Sequence, residues 1–188
     1  FQDTSRMQWG NFKLLLLEGL SYGANSLIVG DVKQSIYRWR NGDWGILNGL
    51  NDHIEHSKVR VKTLVTNRRS ESAIIRFNNR IFTAAVDYLN DIYKKQLNKD
   101  CEELQKAYAD VVQESPRKTE KGYVKVSFLE PDEEHDYTEQ TLISLGDEVK
   151  RLLASGINLN DITILVRKNK NIPRIADYFD KELHYKIV

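Results

Sequence analysis

The stretch from Val29 to Arg40 constrains this chain more than any other. A short apolar run, Ser26-Leu-Ile-Val29, bounded upstream by Tyr22-Gly-Ala-Asn25, reads as a buried central strand. Gly30 and Asp31 then turn the chain at the strand's carboxyl end, where open α/β sheets bind their ligands. The next residues are dense in chemistry: Lys33, Gln34, Tyr37, Arg38, Trp39 and Arg40 fall within eight positions. An amide can read a phosphate oxygen or a water, aromatics can stack on bases, and arginines can hold phosphates. One segment could therefore face a nucleotide on one side and a nucleic acid strand on the other. The plainer alternative is an amphipathic helix with Ile36 and Trp39 turned inward and the arginines solvated.

The rest of the chain alternates between helical and strand-like patterns. Met7, Trp9, Phe12, Leu15, Leu16 and Leu20 recur at helix spacing behind Thr4 or Ser5 as N-cap, with Gly19 or Gly23 as a stop. Asn41-Gly42 and Gly45 break the pattern before a helix around Ile46–His56. Val59–Val65 alternates as a strand. Thr66-Asn-Arg-Arg-Ser-Glu-Ser72 opens a long helix, with Ser70 as its natural N-cap. Two arginines before a helix N-terminus suit an anion, because guanidinium donors, free backbone N–H groups and the positive dipole end coincide there. Solvated arginines are the plainer reading. Residues 94–121 turn polar and charged, a polar helix running into a flexible connection. Tyr123–Leu129 then reads as a strand, Leu142–Leu153 as a helix ending near Gly156, and Asp161–Val166 as an apolar strand. Asn171–Leu183 is a further helix, and a last strand starts at Tyr185. This order predicts a parallel sheet with right-handed crossovers.

Gly30-Asp-x-x-Gln-Ser-Ile-Tyr-Arg-Trp-Arg40 closely resembles motif III of the UvrD-like superfamily 1 helicases, and its Val-Lys-Gln-Ser-Ile-Tyr version resembles most the AddA and RecB recombination helicases. Phe1-Gln-Asp-Thr-Ser5 resembles the tail of motif II, and Leu64-x-x-Asn-x-Arg-Ser70 resembles motif IV. Ile164-Leu-Val-Arg-Lys-Asn-Lys170 stands where that family has Ile-Leu-x-Arg-[Thr/Ser]-Asn. The resemblance implies an α/β fold of RecA-like parallel sheet layers, a P-loop NTPase helicase core cut to portions of two RecA-like domains. Residues 1–63 would be the latter part of the first, ATP-binding domain. Residues 64–121 would be the motif IV helix and a connecting segment, and 122–188 the beginning of the second domain.

The same resemblance assigns roles. Gln34 would sense the γ-phosphate, and Arg69 would reach it across the domain cleft; these two are the catalytic candidates. Gln2, Asp3 and Arg68 join them around ATP, Arg68 standing where the family usually has an adenine-stacking aromatic. A guanidinium can stack on a base as well. Tyr37 and Trp39 would stack on DNA, with Arg167 and Asn169 leaving the later strand towards the single strand. Asp31, Arg40 and Asn67 are structural residues near the cleft, Arg40 pairing with a carboxylate. Implied with them are ATP and magnesium, the main ligands lying outside this chain, and single-stranded or partly duplex DNA in repair or recombination. A second helicase–nuclease subunit is a further implied partner, and a nuclease domain in the parent is allowed. A different class competes: a non-catalytic, helicase-like domain that binds nucleic acid or a protein without the motor.

Composition bounds these readings. The 188 residues carry 28 basic and 27 acidic side chains, so global charge gives no reason to expect nucleic acid and any basic surface must be local. One cysteine, Cys101, excludes an internal disulfide framework and suits a reducing cytoplasm. The longest aliphatic run, Leu14–Leu17, is far short of the ~20 residues that span a bilayer, so no membrane is expected. His53 and His56 lack an obvious third ligand, and the acidic Glu130–Asp136 loop reads as solvated, so no metal site is expected within the chain. The chain opens on Phe1 and contains no Gly-x-x-x-x-Gly-Lys-[Ser/Thr] loop. The expectation is an internal fragment that, isolated, neither hydrolyses ATP nor unwinds DNA.

Overall fold

The computed structural model describes residues 1–55, 59–98, 102–130, 134 and 136–186. It divides into two compact units, Phe1–Val124 and Lys125–Val188.

The first unit starts with α1 (Arg6–Ser21), capped by Ser5 as its sequence predicts. The Ser5 Oγ accepts from the Gln8 N–H, and Gln8 Oε1 in turn accepts from the Ser5 N–H at 3.0 Å, a reciprocal capping box. α1 turns Trp9 inward, where it meets Ile46 and Ile54 in a small core flanked by Phe1, Leu16, Leu20, Leu50 and Val59. Phe1 meets Trp9 edge-on at 5.6 Å. The helix expected around Ile46–His56 is broken at Gly49 into α2 (Trp44–Asn48) and α3 (Leu50–His53). His53 rests near Trp9 at 5.8 Å, which gives it a packing role; His56 lies outside the described residues.

α4 (Ser72–Leu97) is the longest element, and α5 (Glu102–Tyr108) packs on it through Phe82 and Tyr108, with Ala107 and Ile75 buried. The N-cap of α4 is Glu71, one residue later than expected, and the Ala73 N–H that a Ser70 cap would take is given to the Lys121 carbonyl. The chain after α5 is not a loose connection. Gln113 exchanges two hydrogen bonds with Asn79 of α4 (2.8 and 3.0 Å). Glu120 pairs with Arg76, and Arg117 with Glu71. The Lys121 carbonyl accepts from the Ala73 N–H at 2.9 Å. Gly122, at φ +93°, lies so close to Glu71 that an added Cβ would stand 2.8 Å from the Glu71 Cβ.

The second unit holds α6 (Tyr137–Ala154) and α7 (Ile172–Leu183). Asp136 caps α6 through a capping box with Glu139, and Pro173 opens the first turn of α7, where a missing N–H costs nothing. The two helices pack with Val149 and Phe179 buried and Tyr178 over Gly146. Their positions agree with the apolar periodicity and with the stop at Gly156.

The sheet does not. The expected α/β architecture of RecA-like parallel sheet layers is overturned: among the described residues the chain is helical and irregular, with two isolated bridges, Ser5 with Gly42 and Thr66 with Glu114. The runs 26–29, 59–65, 123–129 and 161–166 form no ladder. Leu27, Phe128 and Leu165 stand 87, 93 and 90% exposed. Alternation shows that a segment could lie in a sheet, but a ladder needs a neighbour in register to take its N–H and C=O groups. In 161–166 the faces still alternate, with Ile162, Ile164 and Val166 half-buried and Thr163 and Leu165 exposed. No adjacent strand meets them among the described residues.

Candidate functional site

The motif II tail and the motif III segment come together in the first unit. The Ser35 hydroxyl donates to the Gln2 carbonyl at 2.6 Å, and the Asp43 N–H donates to the Thr4 carbonyl at 3.0 Å. Gly30 approaches the Gln2 backbone so closely that an added Cβ would lie 3.2 Å from the Gln2 nitrogen and 2.9 Å from Leu47 Cδ2. Asp43 also caps α2 and binds Arg6 at 2.6 Å. The Arg6 guanidinium, hydrogen-bonded to that carboxyl, holds it below the ordinary range. Asp3 lies beside this seam, and its Oδ1 is shut off from solvent with no hydrogen-bond partner among the described residues.

Gln34 ends a 3-10 turn, Val32–Gln34, built by Asp31. The Asp31 carboxylate accepts from the Lys33 N–H (3.0 Å), from Gln34 Nε2 (2.9 Å) and from the Lys33 ammonium (2.9 Å). Burial alone would push the Asp31 carboxyl up, but the bonds from Lys33 and Gln34 outweigh it and leave it below its usual range. Burial likewise opposes the charge on Lys33, and its bonds to Asp31 and Asp110 raise it overall. The Gln34 side chain is thereby oriented while remaining exposed.

A second 3-10 turn, Arg38–Arg40, carries the aromatics. Tyr37 and Trp39 sit 5.9 Å apart, and Arg40 lies over both rings, 5.9 and 5.3 Å from their centroids. Such cation–π contacts are worth ~0.5–1 kcal/mol at exposed sites. Arg40 makes no ion pair with a carboxylate among the described residues, and its charge is spent on these rings. Ile36 and Trp39 are 71 and 76% exposed, so the amphipathic-helix alternative, with both inward, does not describe this segment.

The Asn67 turn holds the other candidate arginines. Its Oδ1 accepts from the Arg69 and Ser70 N–H groups, both at 2.9 Å, and its Nδ2 donates to Gln113 Oε1 at 2.8 Å. Arg68 and Arg69 are exposed and free of ion pairs among the described residues. The start of α4 offers less backbone than expected for an anion, since Ala73 gives its N–H to Lys121 and Ile74 and Ile75 give theirs to Glu71. The guanidinium groups are what remain. In the second unit Arg167 and Asn169 leave the end of the 161–166 run exposed, Asn169 opening a 3-10 turn before α7.

Lys33, Ser35, Thr63, Asp110 and Gln113 carry much of this arrangement and were missing from the site read in the sequence. Lys33 and Ser35 lie inside the motif, but a linear pattern gives no sign that Lys33 reaches Asp110. Among the described residues no group of three acidic, His or Cys side chains could hold a metal ion, and no helix is long and apolar enough to cross a membrane.

Residues 1–55 match the UvrD/REP helicase N-terminal domain. Over 94% of its length the chain is 32% identical to the A-subunit of the ATP-dependent helicase/nuclease of Lactococcus lactis subsp. lactis (strain IL1403), of which it covers 15%. It is 29% identical, over the same share of each chain, to the exonuclease/helicase subunit RexA of Lactococcus lactis subsp. cremoris (strain MG1363). To the corresponding helicase/nuclease A-subunit of Streptococcus mutans serotype c it is 42% identical over 38% of the chain and 6% of that protein. The chain thus spans about 15% of the length of the two Lactococcus relatives. The resemblance to AddA-type helicases is borne out.

Proposed function

We propose that this chain is the motif II to motif IV segment of an ATP-driven DNA helicase or translocase acting in repair or recombination. The observation that carries this reading is the joining of the motif II tail to the Gln34 turn through Gln2 and Ser35.

ATP fits the side chains present, with magnesium held mainly by groups outside the chain. Gln34 has one amide N–H committed to Asp31 and a second to offer a phosphate oxygen. Arg69 and Arg68 present guanidinium groups free of ion pairs among the described residues, donors suited to phosphate and to a base face. The orphaned Asp3 Oδ1 is an acceptor of the kind that a magnesium-bound water satisfies. Bound ATP would supply a γ-phosphoryl group for transfer to water. Arg69 would neutralise charge developing on it, a contribution worth ~10³–10⁵ in rate in related phosphoryl transfer. Tyr37 and Trp39 would stack on bases of a single or partly duplex DNA strand, at ~1–3 kcal/mol per base and without regard to sequence. Arg167 and Asn169 would add backbone contacts. A cytoplasmic setting and a second helicase–nuclease subunit belong to this reading.

The test is single-strand-stimulated ATPase in a full-length protein carrying this segment. Arg69→Ala should abolish turnover even at saturating ATP, and Trp39→Ala should weaken DNA stimulation more than the basal rate. A wild-type protein that binds single strands but shows no DNA-dependent turnover would replace the motor with a binding scaffold.

A further inference from the structure

The turns bearing Gln34 and Arg69 are held at the two ends of one short segment, 110–114, through its polar residues Asp110, Gln113 and Glu114. At one end the Lys33 ammonium bridges Asp31 (2.9 Å) and Asp110 (3.2 Å), and the Thr63 hydroxyl donates to the other Asp110 oxygen at 3.2 Å. At the far end Gln113 receives Asn67 Nδ2, and the Asn67 N–H donates to the Glu114 carbonyl at 2.9 Å. The Glu114 N–H returns a bond to the Val65 carbonyl at 2.8 Å, and Gln113 is pinned on α4 by Asn79. Between these anchors the chain is short, at most roughly 18 Å when extended. Lys33 is largely enclosed, with 20% of its side chain exposed, so it is not a solvated cation that happens to lie near two acids.

We propose that 110–114 is a strut fixing the Gln34 turn relative to the Arg69 turn, with Lys33 and Asn67 as the positioning residues at its two ends. Neither residue need touch a nucleotide. Lys33 acts through Asp31, which orients the Gln34 amide, and Asn67 acts through the backbone N–H groups of Arg69 and Ser70. A change of state felt at one turn would then reach the other through this segment. The proposal rests on reading Gln34 and Arg69 as nucleotide-facing, but the strut itself can be tested without ATP or DNA.

The measurement is amide hydrogen exchange by NMR on the 188-residue chain, with α6 amides of the second unit as reference. Asp110→Ala removes the acceptor for Lys33 and Thr63 while leaving the Asp31–Lys33 pair. It should speed exchange at Arg69 and Ser70 by about two- to fivefold, the scale of a half-exposed ion pair. Gln113→Ala cuts the far end and should speed exchange at Gln34 and Ser35 by a similar factor. If each variant loosens only its own end, there is no strut. An even rise over the whole first unit, α1 included, would also overturn it, since that is general loosening rather than transmission. Loss of ATPase in Arg69→Ala with no reciprocal exchange effects would leave the motor standing and remove the strut; the converse result would do the opposite.

Discussion

Asp31 takes three donors from its two neighbours, and this small knot decides how the Gln34 amide is presented. Because its carboxyl is held below the usual range, the stability it contributes is present above the unfolded carboxylate value and lost as pH falls through the lowered one. Lys33, raised, contributes below its ordinary value and loses that contribution only as pH rises through the shifted one. The knot is therefore intact across the whole neutral range. A sharper case lies in the second unit, where Glu148 accepts first from Arg151 and then from Lys125 and is lowered from 4.5 to about 2. Its links to Lys125 and Arg151 should be fully formed above pH 4.5 and should dissolve as the pH falls through about 2. Side-chain carboxyl chemical shifts would give the midpoint. A Glu148 midpoint near the ordinary glutamate value would show that these bonds do not persist in solution.

At the scale of elements, the Asn67 turn is held by one amide whose two ends do different things. Asn67→Ala removes both and leaves the Arg69 and Ser70 N–H groups without an acceptor, at an expected cost of about 1–2 kcal/mol. Asn67→Asp keeps the acceptor and loses only the donor to Gln113, so its urea midpoint should fall between alanine and wild type. An aspartate variant as unstable as the alanine would mean that the Gln113 bond, not the turn, dominates. The helices themselves were legible because their signals are local: Ser5 and Gln8 form the expected cap of α1, and Gly156 stops α6. The start of α4 was misread by one residue because Ser70 looks like a cap until the distant Lys121 carbonyl takes the Ala73 N–H. The geometry of the Gln34 turn was not legible. Nothing within the motif announces that Lys33 finds Asp110.

For the whole molecule, the strand-like runs are where local pattern and tertiary structure part. The run 161–166 reads as an apolar strand yet leaves Leu165 exposed, because pairing is a property of two segments and cannot be read from one. The cost is visible as apolar surface: Leu27, Val29, Val61, Leu64, Phe128 and Leu165 are all exposed. Patches of this kind drive association. The isolated 188-residue chain should bind a hydrophobic dye and elute in gel filtration above the size of its 21.9 kDa monomer. A monomer without dye binding would show that these runs find cover in solution. α4 carries a mechanical implication of its own. Its first turns are tied down by Lys121, Glu120 and Gln113, while Tyr88, Leu89, Tyr93 and Leu97 beyond Phe82 stay exposed. At ~1.5 Å per residue, a ten-degree bend near Phe82 leaves Ser72 in place and shifts Leu97 by roughly 4 Å. The helix is a beam clamped at the end that carries the arginines, and its far tip is the part with room to swing.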